Sequence, residues 1–213
     1  KSMSVEYNRK PIHQAALAGD AKAVQAELDK GVPVDLPDDV NCTALSIACC
    51  DGHLEVVKLV VERKANVDGV PSWTTITGLQ YAARNGHAEI VDVLIAAKAN
   101  VDQKSQGWCA ACTVFRLLKV FFRTALMYAS HTGHATIVSA LLAAKADASM
   151  LDLTGKTALQ IATAAAHHKV VALLTQASTG AVSASPSAAI PATPTSAAAA
   201  APVPEVCFDL LIH

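Results

Sequence analysis

Read for its apolar and polar positions, the chain is one unit written five times. A leucine or isoleucine anchors each unit at Ile12, Leu45, Leu79, Leu126 and Leu159, at spacings of 33, 34, 47 and 33 residues. Small residues follow, and a polar turn closes each block: Ala16…Gly19-Asp20, Ala48…Gly52-His53, Ala83…Gly86-His87, Ala129…Gly133-His134 and Ala162…Ala166-His167. A fixed period near 33 residues predicts a solenoid, in which each unit buries its apolar face against its neighbours alone.

The second unit shows the expected elements. Thr43 stands where an N-cap hydroxyl accepts from free backbone N–H groups, so Ala44–Asp51 is predicted as a short first helix. Gly52 ends it by supplying the left-handed conformation of a tight turn. Leu54 to Arg63 is predicted as the second helix, with Val56, Val57, Leu59 and Val60 as its apolar stripe. Lys64-Ala65-Asn66-Val67-Asp68 then leads into a projecting loop, and the ending returns at Lys98–Asp102 and Lys145–Ala148.

The openings Pro11-Ile12-His13, Thr43-Ala44-Leu45, Thr77-Gly78-Leu79, Thr124-Ala125-Leu126 and Thr157-Ala158-Leu159, with this period, resemble the ankyrin repeat over roughly residues 9–177. The resemblance implies an all-α helical-repeat solenoid with projecting β-hairpin loops and a concave face lined by the first helices. It also implies a non-catalytic scaffold or adaptor that binds protein partners through variable surface residues. The alternative from another class is a targeting or regulatory segment of a larger enzyme whose catalytic domain lies outside this chain.

Composition narrows these expectations. Apolar residues make up 52% and aromatics 4%, so the core is built from Ala, Leu and Val, which allow close helix stacking. A net charge of −1 gives no electrostatic reason for a nucleic-acid partner. The apolar runs fall short of the ~20 residues that cross a bilayer. The six cysteines show no framework spacing, which favours a reduced, cytoplasmic or otherwise intracellular setting. No nucleophile–base set, phosphate loop or metal cluster stands out, so no enzyme activity and no cofactor are expected, and the repeat domain is read as monomeric.

His53, His87, His134 and His167 hold one position of the unit and His13 another. Successive layers ~10 Å apart are too distant for two ligands on one zinc, so these histidines are read as structural bonds between neighbouring repeats.

Residues 109–123 break the period. They contain three of the four phenylalanines, three basic residues and no acidic one, so their origin differs from that of their surroundings. Cys109-x-x-Cys112 lacks the second Cys/His pair a zinc site needs. A basic, apolar helix for a membrane surface or partner is one reading. The favoured one comes from the genetic code. Trp108 followed by Cys109 encodes a GT donor, and Phe121-Phe122-Arg123 can encode a pyrimidine tract ending in AG. Removing the fifteen codons rejoins Trp108 to Thr124 and restores the usual opening, as for a retained intron.

Residues 1–8 form an N-terminal flank, and 178–205 an Ala/Ser/Pro/Thr-rich linker with too little apolar surface to pack. Residues 206–213 turn apolar again, as a docking motif, the start of a further domain, or an end without a role. The partner-binding candidates are Trp73, Tyr81, Arg84, Asn85, Trp108, Tyr128, His131 and Thr132. Tyr81 and Tyr128 share a register flanked by Arg84 and His131, and exposed aromatics and Arg make the strongest interface anchors. Ile47 and Ile161 are placed in the same free register, and Asp38, Gln103, Lys104 and Asp152 on the fingers.

Overall fold

The computed structural model describes residues 9–39, 41–69, 76–105 and 122–180. Among these residues ten helices form five antiparallel pairs: α1 Pro11–Leu17 with α2 Ala21–Asp29, α3 Ala44–Asp51 with α4 Leu54–Glu62, and α5 Gly78–Asn85 with α6 Ala88–Ala96. They continue as α7 Ala125–Thr132 with α8 Ala135–Ala143, and α9 Ala158–Ala164 with α10 His168–Gly180.

Local chemistry sets each first helix. The Thr43 hydroxyl accepts from the Ser46 N–H, and the Ser46 hydroxyl accepts from the Thr43 N–H in return, closing a capping box. Thr77 with Gln80 and Thr157 with Gln160 repeat it, whereas Thr124 accepts from the Met127 N–H without a reciprocal bond. Gly52, Gly86 and Gly133 cap the helix ends at φ 83°, 86° and 85°, where a Cβ is disfavoured.

Small residues then decide how the pairs stack. Ala16, Ala48, Ala82, Ala129 and Ala162 are fully buried in the first helices, while the second helices bury Val57, Val91, Val138 and Val170. Alanine lets backbones approach closely, so successive first helices pack more tightly than successive second helices. The stack therefore curves with the first helices on its inner side.

No strand of the expected β-hairpin loops occurs among the described residues, and residues 40, 70–75 and 106–121 of those loops lie outside them. Short backbone pairings close these loops: Asp38 N–H to Cys42 O at 2.9 Å, Ser105 N–H to Arg123 O at 3.0 Å, and Asp152 N–H to Lys156 O at 3.0 Å, each with a second bond returning to Asp38 O, Ser105 O or Asp152 O. Helix α10 also runs to Gly180, three residues into the segment expected to be linker. The hydroxyls there bond back along the helix, Thr175 to Val171 O and Ser178 to Thr175 O, both at 2.8 Å. Residues 109–121 of the insert lie outside the described residues.

Candidate functional site

Three periodic networks consume most of the polar residues that recur. In the first, a histidine ring lies over the turn of the preceding repeat and donates from Nε2 to its carbonyl: His53 to Leu17 O (3.0 Å), His87 to Cys50 O (3.1 Å), His134 to Arg84 O (3.2 Å) and His167 to His131 O (3.0 Å). A carbonyl only accepts, so Nε2 carries the proton. The ring occupies the space a side chain would need on the turn glycine, since a Cβ on Gly52 would come within 2.6 Å of the His87 ring. The histidines are structural, and no group of three metal-ligating side chains occurs among the described residues.

The second network joins the loops. The carboxylate of Asp35 accepts from the Asn66 N–H (2.9 Å), Asp68 from Asn100 (2.7 Å) and Asp102 from Asp147 (2.8 Å). The third is a buried ion pair used twice: Arg9 Nε lies 3.7 Å from Asp38, and Arg123 Nε lies 3.7 Å from Asp152. Both arginines sit three residues before an anchor residue, Ile12 or Leu126, so Arg123 works as a repeat residue although it ends the predicted insert. Asp38 and Asp152 are therefore buried framework acids, a correction to their expected place as free finger positions. Gln80 adds to the framework by donating from Nε2 to Gln103 O at 2.6 Å, and His13, one position after its own anchor as Gln80 is, donates to Leu36 O at 2.8 Å.

What remains exposed on the inner side is decided by register. Two positions after the anchor lie Ile47, Tyr81, Tyr128 and Ile161; three of these are buried and Tyr81 is half-buried. Tyr128 is 2% exposed, with its hydroxyl 3.4 Å from Ser105 Oγ, so its expected exposure is wrong. The physical reason is that this position packs against the preceding repeat, which repeats two to five have and the first lacks. Gln14, the same position in the first repeat, is exposed.

Five and six positions after the anchor the side chains face solvent. The first row is Leu17, Cys50, Arg84, His131 and Ala164, and the second Ala18, Asp51, Asn85, Thr132 and Ala165. Leu17 and His131 are exposed, and Arg84 is half-buried. Asn85 also donates to Cys50 O at 2.7 Å, and the Thr132 hydroxyl to Tyr128 O at 3.0 Å, so each has one donor engaged within the stack. Trp73 and Trp108 lie outside the described residues.

The electrostatics follow burial. Burial, with the Asp38 charge, pushes the Cys42 thiol up to about 12, and burial raises those of Cys49 and Cys50, so none is a ready nucleophile. Burial likewise raises the Tyr81 phenol. His131 is shifted down, first by desolvation and then by Arg123, His167 and Arg84.

Among the described residues no helix is long and apolar enough to cross a membrane. A family model described as ankyrin repeats (three copies) matches residues 12–105 and 109–183. Among curated proteins, serine/threonine-protein kinase 12 of Arabidopsis thaliana is 36% identical over 55 residues, covering 26% of this chain and 12% of that protein's length. Stacked helix pairs with glycine turns, and a family match over most of the sequence, establish that this chain belongs to the ankyrin-repeat family, a fold of protein–protein interaction.

Proposed function

We propose that the chain is a non-catalytic adaptor that recognises partner proteins on the inner side of the stack, through Arg84, Asn85, His131 and Thr132. Tyr81 contributes at the edge, and Trp73 and Trp108 from the loops. One observation carries the reading: the five- and six-position rows are accessible and vary from repeat to repeat, whereas the recurrent histidines and loop aspartates are committed to joining repeats and the recurrent threonines to capping helices. The domain acts as a monomer, and the unpaired Cys42, Cys49 and Cys50 fit a reducing intracellular compartment.

A proximity-labelling comparison tests this. Partners labelled by the wild-type chain should be lost from Arg84→Ala/His131→Ala with the unfolding midpoint kept, because surface changes usually stay within about ±0.5 kcal/mol. Equal labelling by the double variant rejects the surface.

The match to a kinase supports a second reading, in which the repeats are the targeting segment of a larger enzyme. A full-length transcript that encodes a catalytic domain in frame with the repeats supports that reading; a transcript encoding none supports the standalone adaptor.

A further inference from the structure

The exposed five-position row changes character along the stack. It reads Leu17, Cys50, Arg84, His131, Ala164, so its first position is a large apolar side chain, 44% exposed, and its centre is cationic. Arg84 and His131 sit at the same place in the adjacent helices α5 and α7, and their carbonyls receive His134 and His167 from the following repeats. Their side chains are thus one layer apart, ~8–10 Å, on the accessible side of the stack. Among the described residues the Arg84 guanidinium takes part in no ion pair, although it is half-buried. The acid on the neighbouring row is Asp51, one repeat toward Leu17. The charged and titratable groups acting on His131 are Arg123 (beside Asp152), His167 and Arg84, all of them basic. A cationic centre without a carboxylate against it is complementary to an anion.

We propose that the inner face binds an extended acidic peptide segment, with one or two carboxylates between Arg84 and His131 and an apolar residue on Leu17. This rests on the inner face being the recognition surface and adds the chemistry of what it recognises. The register follows from spacing. Leu17 lies two layers from Arg84, ~16–20 Å, which extended chain at ~3.3 Å per residue covers in about five or six residues. Asp51 lies between them and repels an acid placed there, so the stretch between the apolar and acidic residues must be uncharged.

The test uses a nine-residue peptide with leucine at its first position, glutamates at the seventh and eighth, and glycine and serine elsewhere. Titrated into the full chain and followed by NMR of the Arg84 and His131 side chains, it should give saturable shifts. Arg84→Gln should weaken binding about 10-fold across the pH range, the size of one well-placed charge contact, and His131→Gln should do so only toward the acid end, where the His131 ring is charged. Replacing both glutamates by glutamine, or moving them to the fourth and fifth positions, should weaken it at least as much. Binding should tighten as pH falls from about 8 to 5.5 in the wild type, because His131 gains its charge while glutamate stays ionised, and stay flat in His131→Gln. Absent shifts, or shifts unchanged in Arg84→Gln, overturn the proposal. Failure of the peptide while a labelled natural partner still depends on Arg84 and His131 also overturns it, and leaves the inner face as the recognition surface.

Discussion

The Tyr128 hydroxyl lies 3.4 Å from the hydroxyl of Ser105, in a site where Tyr128 is 2% and Ser105 1% exposed. Ser105 Oγ also accepts from the Arg123 N–H at 3.2 Å, and Ser105 exchanges backbone bonds with Arg123 and Phe122. The aromatic side chain in helix α7 is thereby joined to the closure of the loop that precedes it.

Truncating Tyr128 should therefore act on folding. Tyr128→Ala is expected to cost about 3–5 kcal/mol, as for a buried aromatic, and Tyr128→Phe about 0.5–1.5 kcal/mol through its hydrogen bond. Arg84→Ala, on the accessible row, should fall within about ±0.5 kcal/mol. Urea unfolding of the three variants checks the order; a Tyr128→Ala midpoint equal to that of the wild type would return this residue to the surface.

The glycine turns separate conformational strain from steric conflict. Gly86 and Gly31 both have positive φ, 86° and 87°, but a Cβ on Gly86 comes within 2.7 Å of the His134 ring, while one on Gly31 meets nothing within 4 Å. Both alanine variants should lose about 1 kcal/mol to the left-handed backbone. Gly86→Ala should lose clearly more, because the ring must shift and its bond to Arg84 O with it. Equal thermal midpoints would show that the ring gives way without cost.

Asp152 predicts an acid limb in the stability profile. Burial raises its pKa, but bonds from Thr154 and Lys156 and the Arg123 charge outweigh this and hold the carboxyl below its ordinary value. A depressed folded-state pKa gives stability that is present above the unfolded value near ~3.9 and lost as pH falls through the folded value. The gap between wild type and Asp152→Asn should be about 1–3 kcal/mol at neutral pH and close below pH ~4. A gap unchanged between pH 7 and 3 refutes this contribution.

The insert can be excised in two ways with different results. Cys42 follows Asp35 by seven positions and Lys156 follows Ser149 by seven, whereas Arg123 follows the equivalent Asp102 by twenty-one, an excess of fourteen. Deleting the fourteen residues Cys109–Phe122 leaves Arg123 to meet Asp152 and should keep the midpoint of the parent. Deleting Cys109–Arg123 puts Trp108 in its place, strands Asp152, and should lower the midpoint. Circular-dichroism melts of both deletions decide it; an equal or higher midpoint for the longer deletion favours the intron boundary after Arg123.

What was legible in the sequence is what each unit states locally. Thr43, Gly52 and the stripe from Val56 to Val60 carry their own helix start, stop and buried face, and the structure bears them out. Side chains whose surroundings come from the next layer were not legible in the same way. Tyr128 looked free because its helix alone does not cover it, yet the companion positions Ile47 and Ile161 are apolar, a hint that the whole row is packed. The Asp35–Asp68–Asp102 series recurs at one offset and could have been found by asking what each loop donates to the next. The ion pair of Arg123 was hidden because composition grouped it with the phenylalanines before it.

Ala166 holds φ 58° where the other turns have glycine, and its methyl group stands where the preceding joints admit a histidine ring. The joint between repeats thus has two halves, a bare turn behind and a ring in front, and the fifth unit carries the ring alone. An array of this kind can lengthen by copying its third unit, since Gly86 and His87 bring both halves with them. A tandem copy of the fifth would confront a methyl group at every new seam, so gene duplication can extend the array from its third unit but not from its fifth.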